Sequence, residues 1–399
     1  MFLGAILKML GKTNFATHVT FASGLVATLL AITAISDNRS ASADDLLDPK
    51  LPYQAERSAP VSYEVDFAVV VTAPYHTKTL KVWLPLSQND VGQEISDREL
   101  TTFPMSVKPQ ISREGVYGNE FAYFEFDHPE GAQIIRHRFK AKVWELNWKL
   151  DAARVVAVSN WPDSFAPYLR PHSGLSADAG FQSTIQQLVP PKIAPARSLV
   201  SVMNWVDNNL KYDHVKASLK ADANFAFTNR GGHCSDYHGL CATMGRSLGV
   251  PTRVTYGLNL FPKNSPSHCK LEAYLSPYGW VSFDVSETQR MIKAIGDDKK
   301  LDSAKKEALM QAARDRLHAG FRDNTWLFVT KGTNYELAPP AGKPVDVVRT
   351  IYAEADGVSL PDPDPANIEK REFGWMTAHS YKADREVSYP FKDFKTLTR

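Results

Sequence analysis

The sequence has 399 residues, of which 43% are hydrophobic and 11% aromatic, a composition typical of ordered globular proteins and not of disordered chains. It contains 46 Lys and Arg residues against 44 Asp and Glu residues. This near balance gives no strongly basic surface, so we expect no nucleic-acid partner. The length is sufficient for two domains with separate cores.

The N-terminal segment has the pattern of a secretory signal. Lys8 and Lys12 precede the apolar run 21–35, which is short for a membrane-spanning helix, and Ala41-Ser42-Ala43 provides small residues before Asp44. We therefore predict a signal peptide over residues 1–43, with an uncleaved N-terminal anchor as the alternative. Both interpretations predict an exported protein, periplasmic or extracellular, with a membrane contact only if the segment is uncleaved.

Strand patterns dominate the next region. Segments within residues 61–150 carry β-branched and aromatic residues, largely in alternation, and turn-forming residues separate them. Because no helical pattern interrupts them, we predict a sandwich-like β domain over residues 44–160. Prolines then mark a linker with a short helical segment between Ser159 and Ala194.

Helical and strand patterns alternate after Pro195, which predicts an α+β domain over residues 161–342. One helix starts near Pro195, and a second starts at Cys234 and ends near Gly249. A strand follows at 252–260, then a hairpin over 268–285 and a charged helix over 298–318. The segments 345–360 and 372–381 form a candidate strand pair in a predicted C-terminal β extension, residues 343–399.

Cys234 is the candidate nucleophile. It follows Gly231 and Gly232, which leave room for a backbone to approach closely, and it lies in the first turn of the predicted helix. Unpaired N–H groups and the helix dipole favour a thiolate there, and the same groups can hold an oxyanion. The alternative is that Cys234 is a small buried core residue.

The hairpin supplies a candidate base and its partner. If the apolar residues of its two strands share one face, His268 and Asp284 share the opposite face. With Tyr274 opposite Trp280, Asp284 lies across from Lys270 and diagonal to His268. Cys234, His268 and Asp284 can then act as nucleophile, general base and orienting carboxylate.

The stretches GGHCSDYHGLCATMGRSLGVPTRVTYG, SHCKLEAYL and YGWVSFDVSET resemble the core of the transglutaminase-like superfamily of papain-type cysteine enzymes. Cys234, His268 and Asp284 match the nucleophile, histidine and aspartate of that family in order and local context. The resemblance covers residues 194–342, and the flanks are similar to an exported bacterial subgroup with a preceding β domain. It implies a papain-like α+β core and cysteine-dependent cleavage or transfer at amide bonds, with no cofactor and no metal.

Two positions depart from the family pattern. Lys270 stands where many members have tryptophan, and its charge could bind an acidic substrate or depress the pKa of His268. The segment Lys331-Gly332-Thr333-Asn334 replaces a frequent Gly-Arg-Asp, which puts a contribution of the tail to the site in doubt.

The other cysteines and histidines near the motif have simpler interpretations. Cys241 and Cys269 are predicted core residues, with a Cys241–Cys269 disulfide as an alternative. His233 and His238 lack a zinc-binding spacing with Cys234, so solvated or supporting roles are favoured.

The sequence thus predicts an exported cysteine hydrolase or acyltransferase that acts on peptide or isopeptide bonds, with a peptide or protein substrate that could belong to the cell envelope. Hydrolysis is preferred because water is abundant and no pocket for an amine is marked. The alternatives are a protein-crosslinking transglutaminase that joins glutamine to an amine, and a catalytically silent binding module on the same fold.

Overall fold

The computed structural model describes residues 47–172, 174–189, 195–262, 267–363 and 373–398. The predicted signal or anchor, residues 1–43, lies outside these ranges. Within them, no helix is long and apolar enough to cross a membrane. The strands are β1 Glu56–Thr72, β2 Thr79–Leu86, β3 Gln93–Phe103, β4 Gln110–Arg113, β5 Glu120–Asp127, β6 Ala132–Asn147, β7 Lys211–Tyr212, β8 Gly231–Gly232, β9 Thr252–Asn259, β10 Ser267–Leu275, β11 Gly279–Phe283, β12 Phe321–Arg322, β13 Trp326–Lys331, β14 Tyr352–Ala355, β15 Val358–Ser359 and β16 Gly374–Ala383. The α-helices are α1 Ala166–Leu169, α2 Ala179–Leu188, α3 Pro195–Asn209, α4 Ala223–Asn229, α5 Cys234–Ser247, α6 Val285–Asp297 and α7 Ser303–Ala319.

Two antiparallel sheets make up the β-rich part of the chain. One has the order β12-β6-β1-β16 with β3 also on β6, and the other has the order β15-β14-β2-β5-β4. Buried and less buried residues alternate along β1 and β6, as expected for strands with one face in a core. Val69, Val82 and Phe124 from the two sheets pack into one apolar cluster, which confirms the predicted sheet-rich region.

A third sheet, β11-β10-β9-β13, carries the hairpin and packs against α5. Tyr274 pairs with Trp280 and Leu271 with Phe283, which is the register expected from the sequence. Strand β9 was expected to be half-buried, but all of its residues are buried. The strand lies between β10 and β13, and α5 packs against it.

The charged region after the hairpin contains two helices, not one. Helix α6 was not predicted, although Met291 and Ile295, four residues apart, are buried on one side of it. It begins directly after the hairpin because Asp284 caps it by accepting the N–H of Glu287 at 3.1 Å. The predicted helix over 298–318 begins later, at Ser303, where Asp302 accepts the N–H of Lys305.

The predicted pairing of the two C-terminal segments is wrong. Strand β14 pairs with β2 and β16 pairs with β1, so these strands extend two different sheets. An alternating pattern identifies a strand but not its partner, and here the partners are edges of sheets formed near the start of the described chain. The fold as a whole is α+β, a helix-covered sheet core preceded by a sheet-rich region.

Candidate active site

The start of α5 is fixed by a local hydrogen-bond network around Asp236. Its carboxylate accepts the backbone N–H of His233 at 3.0 Å and that of Ser218 at 3.1 Å. Gly232 has φ +145°, and a Cβ at this position would lie 2.5 Å from Asp236 Oδ2. The glycine therefore makes room for the capping carboxylate, and the helix begins at Cys234.

His268 and Asp284 are hydrogen-bonded to each other. The distance from His268 Nε2 to Asp284 Oδ2 is 2.7 Å, and both side chains are buried. This contact confirms the expected strand parity of the hairpin. Because Nε2 is engaged with the carboxylate, Nδ1 is the ring nitrogen left for a proton exchange with a thiol.

Two histidines act on the Cys234 thiol. Sγ lies 3.2 Å from His233 Nδ1, and the charge of His268 also acts on the thiol. Burial alone would raise the pKa of the thiol, but the charges and hydrogen bonds of His233 and His268 outweigh it and hold that pKa well below its usual range. The structure thus brings Cys234, His268 and Asp284 together in the predicted order, with His233 as an additional neighbour.

Lys270 does not face a substrate, contrary to one of the two roles considered for it. Its Nζ donates to Asp284 Oδ2 at 2.7 Å and to Asp323 Oδ2 at 2.9 Å, and its side chain is buried. Burial would lower the pKa of Lys270, but these two carboxylates raise it above its usual value. The lysine is therefore a buried cation that contacts the same Asp284 oxygen as His268 does.

The Asp284 carboxylate is stabilised as an anion from several directions. Burial would raise its pKa, but the charges of His268 and Lys270 hold that pKa well below its usual range. His238 Nε2 lies 3.7 Å from Asp284 Oδ1 and accepts the N–H of Val285 at 3.1 Å. Burial lowers the pKa of His238 to about 4, so this ring is neutral near pH 7 and supports the start of α6.

His233 and His238 are both buried, so of the two roles expected for them the solvated one is wrong and the supporting one agrees with their contacts. Asp323 was not identified from the sequence, because it lies 53 residues after Lys270 outside any motif. Trp326 was not assigned a role either, yet its Nε1 donates to the backbone oxygen of His268 at 3.1 Å. No local pattern indicates these two contacts, which arise from the approach of β13 to β9.

One part of the chain matches a known family model. Residues 182–285 match the family model described as transglutaminase-like superfamily, and this range includes all three predicted site residues. Residues 182–285 are a transglutaminase-like superfamily domain. No curated protein matches the sequence.

A solved structure with the same fold aligns with most of this chain. A "putative cysteine protease" from Cytophaga hutchinsonii aligns with a TM-score of 0.55 and 14% identity, covering 86% of this chain and 97% of that chain. At this identity the similarity shows the fold alone, including the sheet-rich region before the transglutaminase-like domain. A "putative protease" from Parabacteroides distasonis has a TM-score of 0.24, 10% identity and coverages of 53% and 47%. A protein described as a TGase has a TM-score of 0.23, 13% identity and coverages of 52% and 55%, and neither of these two supports a conclusion.

The remaining cysteines of the transglutaminase-like domain are core residues. Cys241 and Cys269 are buried and unpaired, so the alternative of a disulfide between them is wrong. Burial raises the pKa of both thiols. Cys269 lies on β10, where its Sγ donates to the backbone oxygen of Lys270 at 3.7 Å.

The glycine pair and the tail both make contacts within the fold. Gly231 lies close to the backbone oxygen of Lys211, its partner in the β7–β8 pair. The space that the missing side chain leaves is therefore filled by the protein's own backbone. Gly332 donates its N–H to Val254 O and packs on the ring of Tyr117. In the part of the chain that the structure describes, no group of three His, Cys, Asp or Glu side chains is arranged to hold a metal ion.

Proposed function

We propose that this protein is an exported cysteine hydrolase or acyltransferase that cleaves amide bonds, peptide or isopeptide, through a thioester on Cys234. The observation that carries the proposal is the 2.7 Å contact of His268 with Asp284 beside a buried thiol whose pKa is well below its usual range. Equally buried structural cysteines have no such stabilisation. The superfamily match supports the same class of chemistry.

The proposed reaction begins with attack of the Cys234 thiolate on the carbonyl carbon of the amide. Unpaired backbone N–H groups in the first turn of α5 stabilise the oxyanion of the tetrahedral intermediate. His268 then donates its proton to the leaving nitrogen, the carbon–nitrogen bond breaks, and an amine departs. Asp284 holds the imidazole ring and stabilises its charged form during this step.

The second half of the reaction releases the acyl group. His268 takes a proton from water, the resulting hydroxide attacks the thioester carbon, and the carbon–sulfur bond breaks. The products are a carboxylic acid and the regenerated thiolate. Hydrolysis is our preferred outcome, and an amine in place of water would give the crosslinking reaction instead.

Export and a cell-envelope peptide or protein substrate are part of the proposal. They rest on Lys8, Lys12, the apolar run 21–35 and the small residues 41–43 in the sequence. Mass spectrometry of the intact protein from a periplasmic or culture-supernatant fraction tests export. The expected result is a new N-terminus at Asp44. A chain that stays in the cytoplasm at full length would contradict export.

The first test of the chemistry is the pH dependence of alkylation by iodoacetamide, with the labelled cysteine located by mass spectrometry. We expect Cys234 to react well below pH 8, and His268→Ala to weaken this reaction. Cys241 and Cys269 serve as controls within the same molecule, and His128→Ala, on an exposed loop, is the matched histidine control. The shape of the pH profile is compared, since the three thiols are all buried.

One result would contradict the enzyme proposal. In this result, Cys234 is labelled with the pH dependence of an ordinary thiol, and His268→Ala leaves the labelling unchanged. It would favour a binding module on the same fold. If the thiol is activated, incorporation of a fluorescent primary amine into a glutamine-containing protein distinguishes transfer from hydrolysis.

A further inference from the structure

A cavity of about 840 Å³ lies beside α5, away from the candidate active site. The helix contributes Gly239, Ala242, Thr243 and Arg246 to its wall, which follow Cys234 by five, eight, nine and twelve residues. At 1.5 Å per residue these positions are about 8 to 18 Å along the helix axis from Cys234. Cys234, His268 and Asp284 do not line this cavity, so it is a separate feature of the molecule.

Two arginines line the cavity without a carboxylate partner among the described residues. Arg246 donates from Nε and Nη2 to the backbone oxygen of Thr252, at 3.2 and 3.0 Å, which holds the guanidinium but does not neutralise it. Arg170 has no hydrogen bond or ion pair with any described residue. Burial lowers the pKa of Arg246, Tyr117 opposes this, and the charge of Arg170 lowers it further. Two positive charges therefore approach each other here.

The acidic residues of the cavity wall are already engaged. Asp222 caps α4, because its Oδ1 accepts the N–H groups of Asn224 and Phe225 at 2.9 and 3.0 Å. Asp346 pairs with Lys220, with 3.5 Å between Oδ2 and Nζ. Neither carboxylate is therefore free to neutralise the two arginines.

Neutral donors complete the wall. Within the described residues, the side chains of Asn224, Thr243 and Asn334 line the cavity without a hydrogen-bond partner of their own. His172 accepts the N–H of Leu175 at Nδ1, which leaves Nε2 as the proton-bearing nitrogen of a neutral ring. Several neutral donors thus accompany the two cations.

We propose that this cavity is a binding site for a small organic anion that carries carboxylate or phosphate groups. Guanidinium groups match the planar, bidentate geometry of these two anions, and amide and hydroxyl groups supply further hydrogen bonds. The volume lies within the range of small-molecule sites in proteins. The site goes beyond the proposed function, because it does not depend on the reactivity of Cys234.

Isothermal titration calorimetry of the full chain tests the proposal, with inorganic phosphate and glutarate as separate probes at constant ionic strength. We expect saturable binding of at least one probe at millimolar concentration. Arg170→Gln should weaken it about tenfold or more, since it removes a charge-assisted contact. Arg385→Gln, an exposed arginine outside the cavity, is the matched control and should bind like the wild type. The preferred probe identifies which of the two anionic groups is recognised.

Failure of both probes to bind would overturn the proposal. So would binding that is unchanged in both Arg170→Gln and Thr243→Val, two variants that leave Arg246 in place. Cys234→Ala should bind the probe as the wild type does. A loss of alkylation reactivity therefore bears on the proposed function, and a loss of anion binding bears on the cavity.

Discussion

Two regions of the same helix contain cysteines with opposite properties. Cys234, in the first turn of α5, and Cys241, two turns later, are both buried. Burial raises the pKa of Cys241, and the negative charge of Asp207 raises it further. Burial acts in the same direction on Cys234, but two histidines reverse the result. The neighbouring charges, and not the exposure of the thiol, therefore distinguish a candidate nucleophile from a core residue.

The largest expected effect comes from removing the thiol group of each of these two cysteines in turn. Cys234→Ala should reduce amide hydrolysis by about 10³-fold or more, because it removes the nucleophile. Cys241→Ala should retain activity and lose only some stability, since it removes a buried sulfur from a packed helix. Turnover of an amide substrate and thermal unfolding measure the two effects. Equal loss of activity in the two variants, with both folded, would contradict the distinction between these regions.

Removing the charge of the orienting carboxylate tests the second element of the site. Asp284→Asn keeps the shape of the side chain but not the anion that faces His268 and Lys270. We expect kcat to fall by about 10²-fold to 10⁴-fold, because the imidazolium loses its stabilising partner. Steady-state kinetics measures this, with Asp346→Asn, in the wall of the separate cavity, as the control. A kcat within a factor of three of the wild type would remove Asp284 from the proposed mechanism.

The buried lysine should act mainly on stability. In Lys270→Met, the carboxylates of Asp284 and Asp323 lose their shared cation, so we expect the free energy of unfolding to fall by about 3–5 kcal/mol. Adding Asp323→Asn should restore part of this loss, because one of the two uncompensated charges is then removed. Chemical denaturation of the single and double variants measures both values. A single variant as stable as the wild type would show that the lysine does not hold this cluster together.

The smallest expected effect is a shift in a pH profile. His233 and His268 lower the pKa of Cys234, so the thiolate persists to lower pH than in an ordinary cysteine. His233→Gln removes one of the two charges, and the midpoint of Cys234 alkylation should move to higher pH. His214→Gln is the control, because its ring neighbours His233 with centroids 4.9 Å apart. An unchanged midpoint would leave His268 as the sole source of activation.

The sequence alone predicted the parts of the site that lie on a regular helix or strand pattern. Alternation along β10 and β11 brought His268 and Asp284 to one face, and the helical pattern located Cys234 at the start of α5. Lys270 was located correctly opposite Asp284, but its role depends on Asp323, and no periodic pattern connects those two residues. The partners of β14 and β16 were missed for the same reason, since alternation along a strand contains no information about distant edges. Helix α6 was missed, although Met291 and Ile295 lie four residues apart and Asp284 caps the helix.

The pairing of β16 with β1 has a consequence for the order in which the molecule folds. Tyr63 of β1 pairs with Ala383 of β16. This edge of β1 therefore finds its partner only when nearly the whole chain is present. A ribosome that adds about 5–20 residues per second leaves that edge unpaired for many seconds after β1 has been synthesised. Exposed edges of this kind favour association with other chains. Nascent chains of this protein should therefore depend on chaperone protection until β16 has been synthesised.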